Sequence, residues 1–264
     1  MSYPVLKAHW RNLVVATYAA PKELLARQLP PGLELDLLDG RAHCSLVGFQ
    51  FQKTSILGIP SPFYRDFPEW NLRIYVRHGD QRGVYFVREF VSHRLVSWAG
   101  RLSYNEPFVT APVKVEIARD AGELKVDYTV HRGGKIHRLS AVGAARPECP
   151  TDDVAHFTDL KWGFGHSHCG ESMRFEVHRP AWDNHPLKDF ETDVDWAKLY
   201  GSEWAAMNGR EPDSMALLQG SGVEVFAPKV LSKSQNRGGS NPGSCRIARN
   251  PCQAISLGYT HISG

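Results

Sequence analysis

The stretch Phe67-Pro68-Glu69-Trp70-Asn71-Leu72-Arg73-Ile74-Tyr75-Val76-Arg77 decides the fold class, because its residues alternate in character. Leu72, Ile74 and Val76 form one set, and Glu69, Asn71, Arg73, Tyr75 and Arg77 form the other. Side chains of a strand point alternately to opposite faces, so this period predicts a strand with one apolar and one polar face. Outward from it the same alternation recurs at Val47, Phe49 and Phe51, at Leu124, Val126, Tyr128 and Val130, and at Met173, Phe175 and Val177. Asp39-Gly40, Gly79-Asp80 and Gly133-Gly134 supply tight turns between such runs. Short strands and frequent turns predict a mainly β (α+β) domain, an antiparallel barrel or sandwich. Helices are few. Pro21 to Leu29 reads as one, with Pro in its first turn, and Thr192 to Asn208 as a second that ends before Gly209.

The chain has 264 residues, enough for one full-sized core. No run approaches the roughly twenty apolar residues of a membrane span. Lys7, His9 and Arg11 precede any long apolar run, so the N-terminus does not read as a signal peptide, and the expected location is cytoplasmic, without a membrane partner. The five cysteines (Cys44, Cys149, Cys169, Cys245, Cys252) are irregularly spaced and read as buried free thiols rather than a disulfide framework. The net charge of +3 is misleading. From Ser232 on there are Lys233, Arg237, Arg246 and Arg249 and no acid, which leaves the preceding body near −1. A basic nucleic-acid surface is not expected. The predicted organisation is a domain over 1–231 and a basic, low-complexity, loosely ordered tail over 232–264.

Several segments carry a family resemblance: Trp10-Arg11-Asn12-Leu13, Leu29-Pro30-Pro31-Gly32-Leu33, the stretch from Phe67 to Arg77, Arg101-Leu102-Ser103-Tyr104-Asn105-Glu106-Pro107, Val177-His178-Arg179-Pro180-Ala181-Trp182 and Gly220-Ser221-Gly222. In this order they resemble the uncharacterised YqjF-like proteins of the acetoacetate decarboxylase-like superfamily, from Trp10 to about Leu231. The resemblance implies a conical, largely antiparallel β-barrel with flanking helices around an active site. Acetoacetate decarboxylase works through a Schiff-base lysine whose pKa is lowered by a second lysine. Here the two matching positions are Phe108 and Val109, neither of which can form an imine. By the same resemblance Arg11, spaced from Tyr18, and Glu69, spaced from Gly83, match pocket residues, and Arg101, Tyr104 and Glu106 border the pocket.

The residues themselves leave the polar face of the 69–77 run open. It is a pocket wall, a solvent face or an ion-pair ladder. As a wall, Arg73 and Arg11 are suited to clamp an anion, Asn71 and Tyr75 to orient it, and Glu69 to act as acid and base where burial raises its pKa. His166, His168 and Cys169 read as a solvated turn, so no metal is expected, and no cofactor motif is present. Lys114 and Lys161 are the remaining candidates for a relocated imine. The expected function is therefore a small-molecule pocket for an organic acid or similar anion, with a lysine-independent lyase or hydrolase activity. A non-catalytic binding or scaffold protein with a vestigial pocket is the alternative. A homo-oligomer stays open.

Overall fold

A computed structural model of the protein describes residues 3–61, 65–92, 108–167 and 169–231. The first half contains β1 (Leu6–Ala20), α1 (Lys22–Ala26), β2 (Glu34–Leu35), β3 (Leu37–Leu38), β4 (Arg41–Ile56), β5 (Ile59–Pro60), β6 (Phe67–His78), β7 (Gln81–Val91), β8 (Phe108–Thr110), β9 (Val113–Asp120) and β10 (Glu123–Arg132). There follow β11 (Lys135–Ala144), α2 (Asp152–Thr158), β12 (Trp162–His166), β13 (Ser172–His178), β14 (Leu187–Asp193), α3 (Trp196–Tyr200), a 3-10 turn (Ser202–Met207), β15 (Ser214–Val225) and β16 (Lys229–Val230). Among the described residues no helix is long and apolar enough to cross a membrane.

Strands β6, β4, β1, β15, β13, β12 and β7 are hydrogen-bonded in that order, and β7 pairs back onto β6, so the seven close into a ring. All of these pairings are antiparallel except β12 on β7. Closure leaves the ring no free edge, the feature that makes open sheets prone to pair with other chains. A second sheet, β14-β11-β10-β9, has its own hydrogen-bond ladder and packs against one face of the ring.

The ring is apolar on both faces, so its strands are more buried than half-exposed alternation implies. On one face Val14 and Tyr18 of β1, Leu46 of β4 and Trp70, Leu72 and Ile74 of β6 join Leu124, Val126 and Tyr128 of the second sheet and Trp196 and Trp204 in one cluster. Trp70 Nε1 donates to the Tyr200 hydroxyl at 2.8 Å, which satisfies the buried indole N–H. On the other face Leu13, Val15, Val47, Phe49, Phe67, Val91 and Leu218 pack with Val154 of α2 and with Trp182. Phe157 of α2 contacts the rings of His43 and Tyr75 on this same face. Every second residue of β6 from Glu69 to Tyr75 therefore points toward the side that α2 covers.

The second helix differs from its expected bounds. Thr192 and Asp193 pair with Leu139 and Arg138 as the end of β14. The helix starts only at Trp196, where the Asp195 side chain accepts from the Lys198 N–H at 3.0 Å. Gly201, at φ +126, then breaks it from the 3-10 turn. The cysteines also differ from their reading. Cys44 is a buried free thiol, Cys149 is free but exposed, and Cys169 is disulfide-bonded.

Candidate functional site

Three strands set the site. Asn71 of β6 lies directly opposite Glu89 of β7, and Glu69 lies opposite Val91. On the other flank of β6, Glu69 faces Phe49 and Asn71 faces Val47. Beyond β7, Glu89 is paired in parallel with Phe108 of β8, and Phe90 with Val109. The positions where the family resemblance implies a lysine pair thus border Glu89. Glu69, Asn71 and Glu89 are 1%, 3% and 5% exposed, so two carboxyls and a carboxamide share a nearly dry patch on the α2-covered face.

The electrostatics of that patch follow from burial. Asn71 Nδ2 donates to Glu69 Oε1 at 3.0 Å. Burial pushes the Glu69 carboxyl up to about 7, partly opposed by its hydrogen bonds with Asn71 and Glu89. Glu69, pushed up to about 7, is therefore the carboxyl of this patch that exchanges a proton near neutrality. Glu69 Oε2 meets no hydrogen-bond donor among the described residues, so protonation of this carboxyl leaves no buried charge unsatisfied. Such a group can both give and take a proton near pH 7.

Arg73 and Tyr75 continue the same row. Tyr75 OH is bonded to Ser45 Oγ at 2.5 Å and Ser45 Oγ to Thr17 Oγ1 at 2.7 Å, a buried hydroxyl chain across β6, β4 and β1. Arg73 donates to Tyr75 OH at 3.4 Å and to the Phe157 carbonyl at 3.2 Å, while its buried Nε finds no acceptor among the described residues. Among the described residues no carboxylate forms a salt bridge with Arg73, leaving its charge available on this face. Arg77 is exposed and donates to the Gly79 carbonyl.

Arg11 does not join them. It pairs with Gln50, which pairs with Pro68, whereas Trp10 pairs with Phe51, which pairs with Phe67. Trp10, Phe51 and Phe67 belong to the α2-side cluster, so Arg11, one residue on, projects from the opposite face and donates to the Gly220 carbonyl at 3.0 Å. Arg101, Tyr104 and Glu106 lie outside the described residues. Lys114 is exposed, and Lys161 is exposed and bridged to Glu176 at 2.6 Å, so neither has the desolvated setting an imine-forming amine needs. Among the described residues no group of three His, Cys, Asp or Glu could hold a metal ion.

Sequence reading missed Glu89 for a specific reason. Strict alternation in β7 groups Val84 and Phe86 with Arg88 and Phe90. The ladder slips between Leu72–Arg88 and Arg73–Phe86, so the extra residue, Val87, returns Glu89 and Val91 to the face of Val84 and Phe86. Nothing in the composition of 83–91 marks this bulge.

A family model for DUF2071, described as uncharacterized conserved protein (COG2071), matches residues 7–223, well over half of the chain. The chain belongs to the DUF2071 family. A curated relative, the uncharacterized protein YqjF of Bacillus subtilis (strain 168), is 30% identical over 129 residues, 48% of this chain and 52% of the relative. The chain thus spans about half the length of that curated relative. Among solved structures, an acetoacetate decarboxylase-like enzyme from Sphingomonas wittichii RW1 superposes with a TM-score of 0.62 at 16% identity, covering 86% of this chain and 93% of that one. The enduracididine biosynthesis enzyme MppR, complexed with pyruvate, gives 0.62 at 14% identity over 88% of this chain and 92% of that one. At these identities the likeness is one of fold: this DUF2071 protein has the acetoacetate decarboxylase-like β architecture.

Proposed function

We propose that this DUF2071 protein takes a small organic acid or similar anion onto the α2-covered face of its ring and uses the Glu69–Glu89 pair as a proton donor and acceptor there. The observation that carries this reading is the pair itself. A buried carboxyl costs stability unless paired or protonated, and Glu69, pushed up to about 7 beside Asn71 and Glu89, is set to give and take a proton near neutrality. Arg73, on the same row, supplies the positive charge for the anion. Successive same-face residues of a strand are about 7 Å apart, so a small acid held at Arg73 lies one step from Asn71 and its cross-strand partner Glu89, with Glu69 one step further along the row. Phe108 and Val109 stand where the superfamily resemblance expects lysines, so the chemistry proposed is lysine-independent: a lyase or hydrolase step run by acid–base catalysis.

Thermal-shift titration with 2-oxo and 3-oxo acids tests it. Stabilisation of the wild type is expected, with Arg73→Gln weakening binding by about tenfold, the usual scale of a charge-assisted contact. Absence of stabilisation by any of these acids would count decisively against the reading.

A further inference from the structure

Where α2 ends, the chain from Asp159 to Lys161 and the segment from Val177 to Arg179 enclose a cleft of about 440 Å³, lined by Asp159, Leu160, Lys161, Val177, His178 and Arg179. Arg179 is its unusual member. Its side chain is only 5% exposed, and the nearest carboxylate, Asp159, lies 4.0 Å away and is itself 67% exposed. Its guanidinium stacks on Trp182 at 3.6 Å from the ring centroid, and Trp182 is fixed in turn by its indole N–H donating to Ser221 Oγ at 2.8 Å. Arg179 also donates to the carbonyls of Thr158 and Pro180. Burial, and next the proximity of Arg73, pull its pKa down to about 10, against the opposing pull of Asp159. Arg179 is thus a buried cation at the edge of an open cleft whose other charged members, Asp159, Lys161 and His178, are exposed.

We propose that this cleft binds the carboxylate of a small monocarboxylic acid, with Arg179 as the anchor and Lys161 at the rim. Charge balance selects the class. Lys161 is closed onto Glu176 at 2.6 Å, and Glu176 also meets His178 at 2.7 Å, whereas Arg179 stands 4.0 Å from Asp159. Arg179 is therefore the cation of the cleft with room for one further negative charge. A second charge on the ligand would meet Asp159 or Glu176. Leu160 and Val177 offer apolar wall for a short hydrocarbon body, and the guanidinium N–H groups of Arg179 not taken by the Thr158 and Pro180 carbonyls can donate to a carboxylate. This deepens the function proposed above and rests on it in one respect, that the ligand is an anion.

The test is calorimetric titration of the full chain with butyrate, butyramide and succinate. Wild type is expected to bind butyrate at least tenfold more tightly than butyramide and more tightly than succinate. Arg179→Gln, which removes the charge, should abolish the preference for acid over amide. Because Arg179 also packs on Trp182, the exposed rim change Lys161→Glu gives an independent check. It should weaken butyrate fivefold or more without altering the melting temperature. Butyrate binding that both variants retain would overturn the cleft while leaving the pocket at Arg73 standing. Equal affinity for acid and amide in the wild type would overturn both.

Discussion

Glu69→Gln is expected to make the protein more stable above pH 7 and to leave its stability unchanged near pH 4. The carboxyl of Glu69 is raised from 4.5 to about 7 in the fold. Between those values the folded chain holds the proton and the unfolded chain has released it, so wild-type stability falls as pH rises. A gap of that size is worth about 3 kcal/mol, all of it present below the lower value and gone above the upper one. The substituted amide does not titrate and donates to Glu89. The stability difference between variant and wild type should therefore open from about zero at pH 4.5 to about 3 kcal/mol at pH 8, read from urea unfolding at a series of pH values. A difference constant across that range would show that the burial of Glu69 does not hold a proton. The same variant should lose any proton-transfer activity, which is how a stabilising change at a working residue behaves.

The second large effect concerns ring closure. A Cβ at Gly83 would stand 2.2 Å from the Trp162 carbonyl oxygen and 2.8 Å from Phe164 Cε2. Gly83 pairs with Trp162 where β12 meets β7, the one parallel contact of the ring. A backbone oxygen cannot swing aside as a side chain can, so Gly83→Ala should force β12 away from β7. The expected cost is about 3 kcal/mol, at the upper end for overpacking, and a fall in melting temperature of roughly 10 °C. Gly165 lies on the same strand β12, yet a Cβ there would meet nothing within 4 Å. Gly165→Ala is the control, and it should change stability by less than about 0.5 kcal/mol. Equal effects of the two substitutions would mean that the close approach at Gly83 does not hold the ring together.

The mainly β class was legible because alternation in 67–77, 47–51, 124–130 and 173–177 depends only on strand geometry. The closed ring was not, since pairings such as Leu6 with Val225 join residues far apart in the chain and leave no local mark. Of the site, Glu69, Asn71, Arg73 and Tyr75 could be grouped from sequence because β6 runs through them without a bulge. Arg11 and Glu89 lie on strands whose phase shifts. The β1–β4 ladder slips between Arg11 and Val14, with Asn12 at φ +53, and Val87 does the same in β7. A single extra residue exchanges the two faces of everything beyond it, so the spacing by which the family resemblance grouped Arg11 with the pocket does not fix its face, and nothing local marks Glu89 as Glu69's neighbour. Arg179 was hidden differently. Its importance comes from burial and from the distance of its nearest acid, neither of which a sequence displays.

That a dry patch between β6 and β7 stores one exchangeable proton is most directly tested by infrared difference spectroscopy at pH 7 between wild type and the double variant Glu69→Gln/Glu89→Gln. Exposed carboxyls are all ionised at that pH, so the expected result is a single protonated-carboxyl carbonyl band in the wild type that disappears at pH 9 and is missing from the double variant. A wild-type spectrum at pH 7 with carboxylate bands alone would contradict it, because Glu69 and Glu89 would then both be charged.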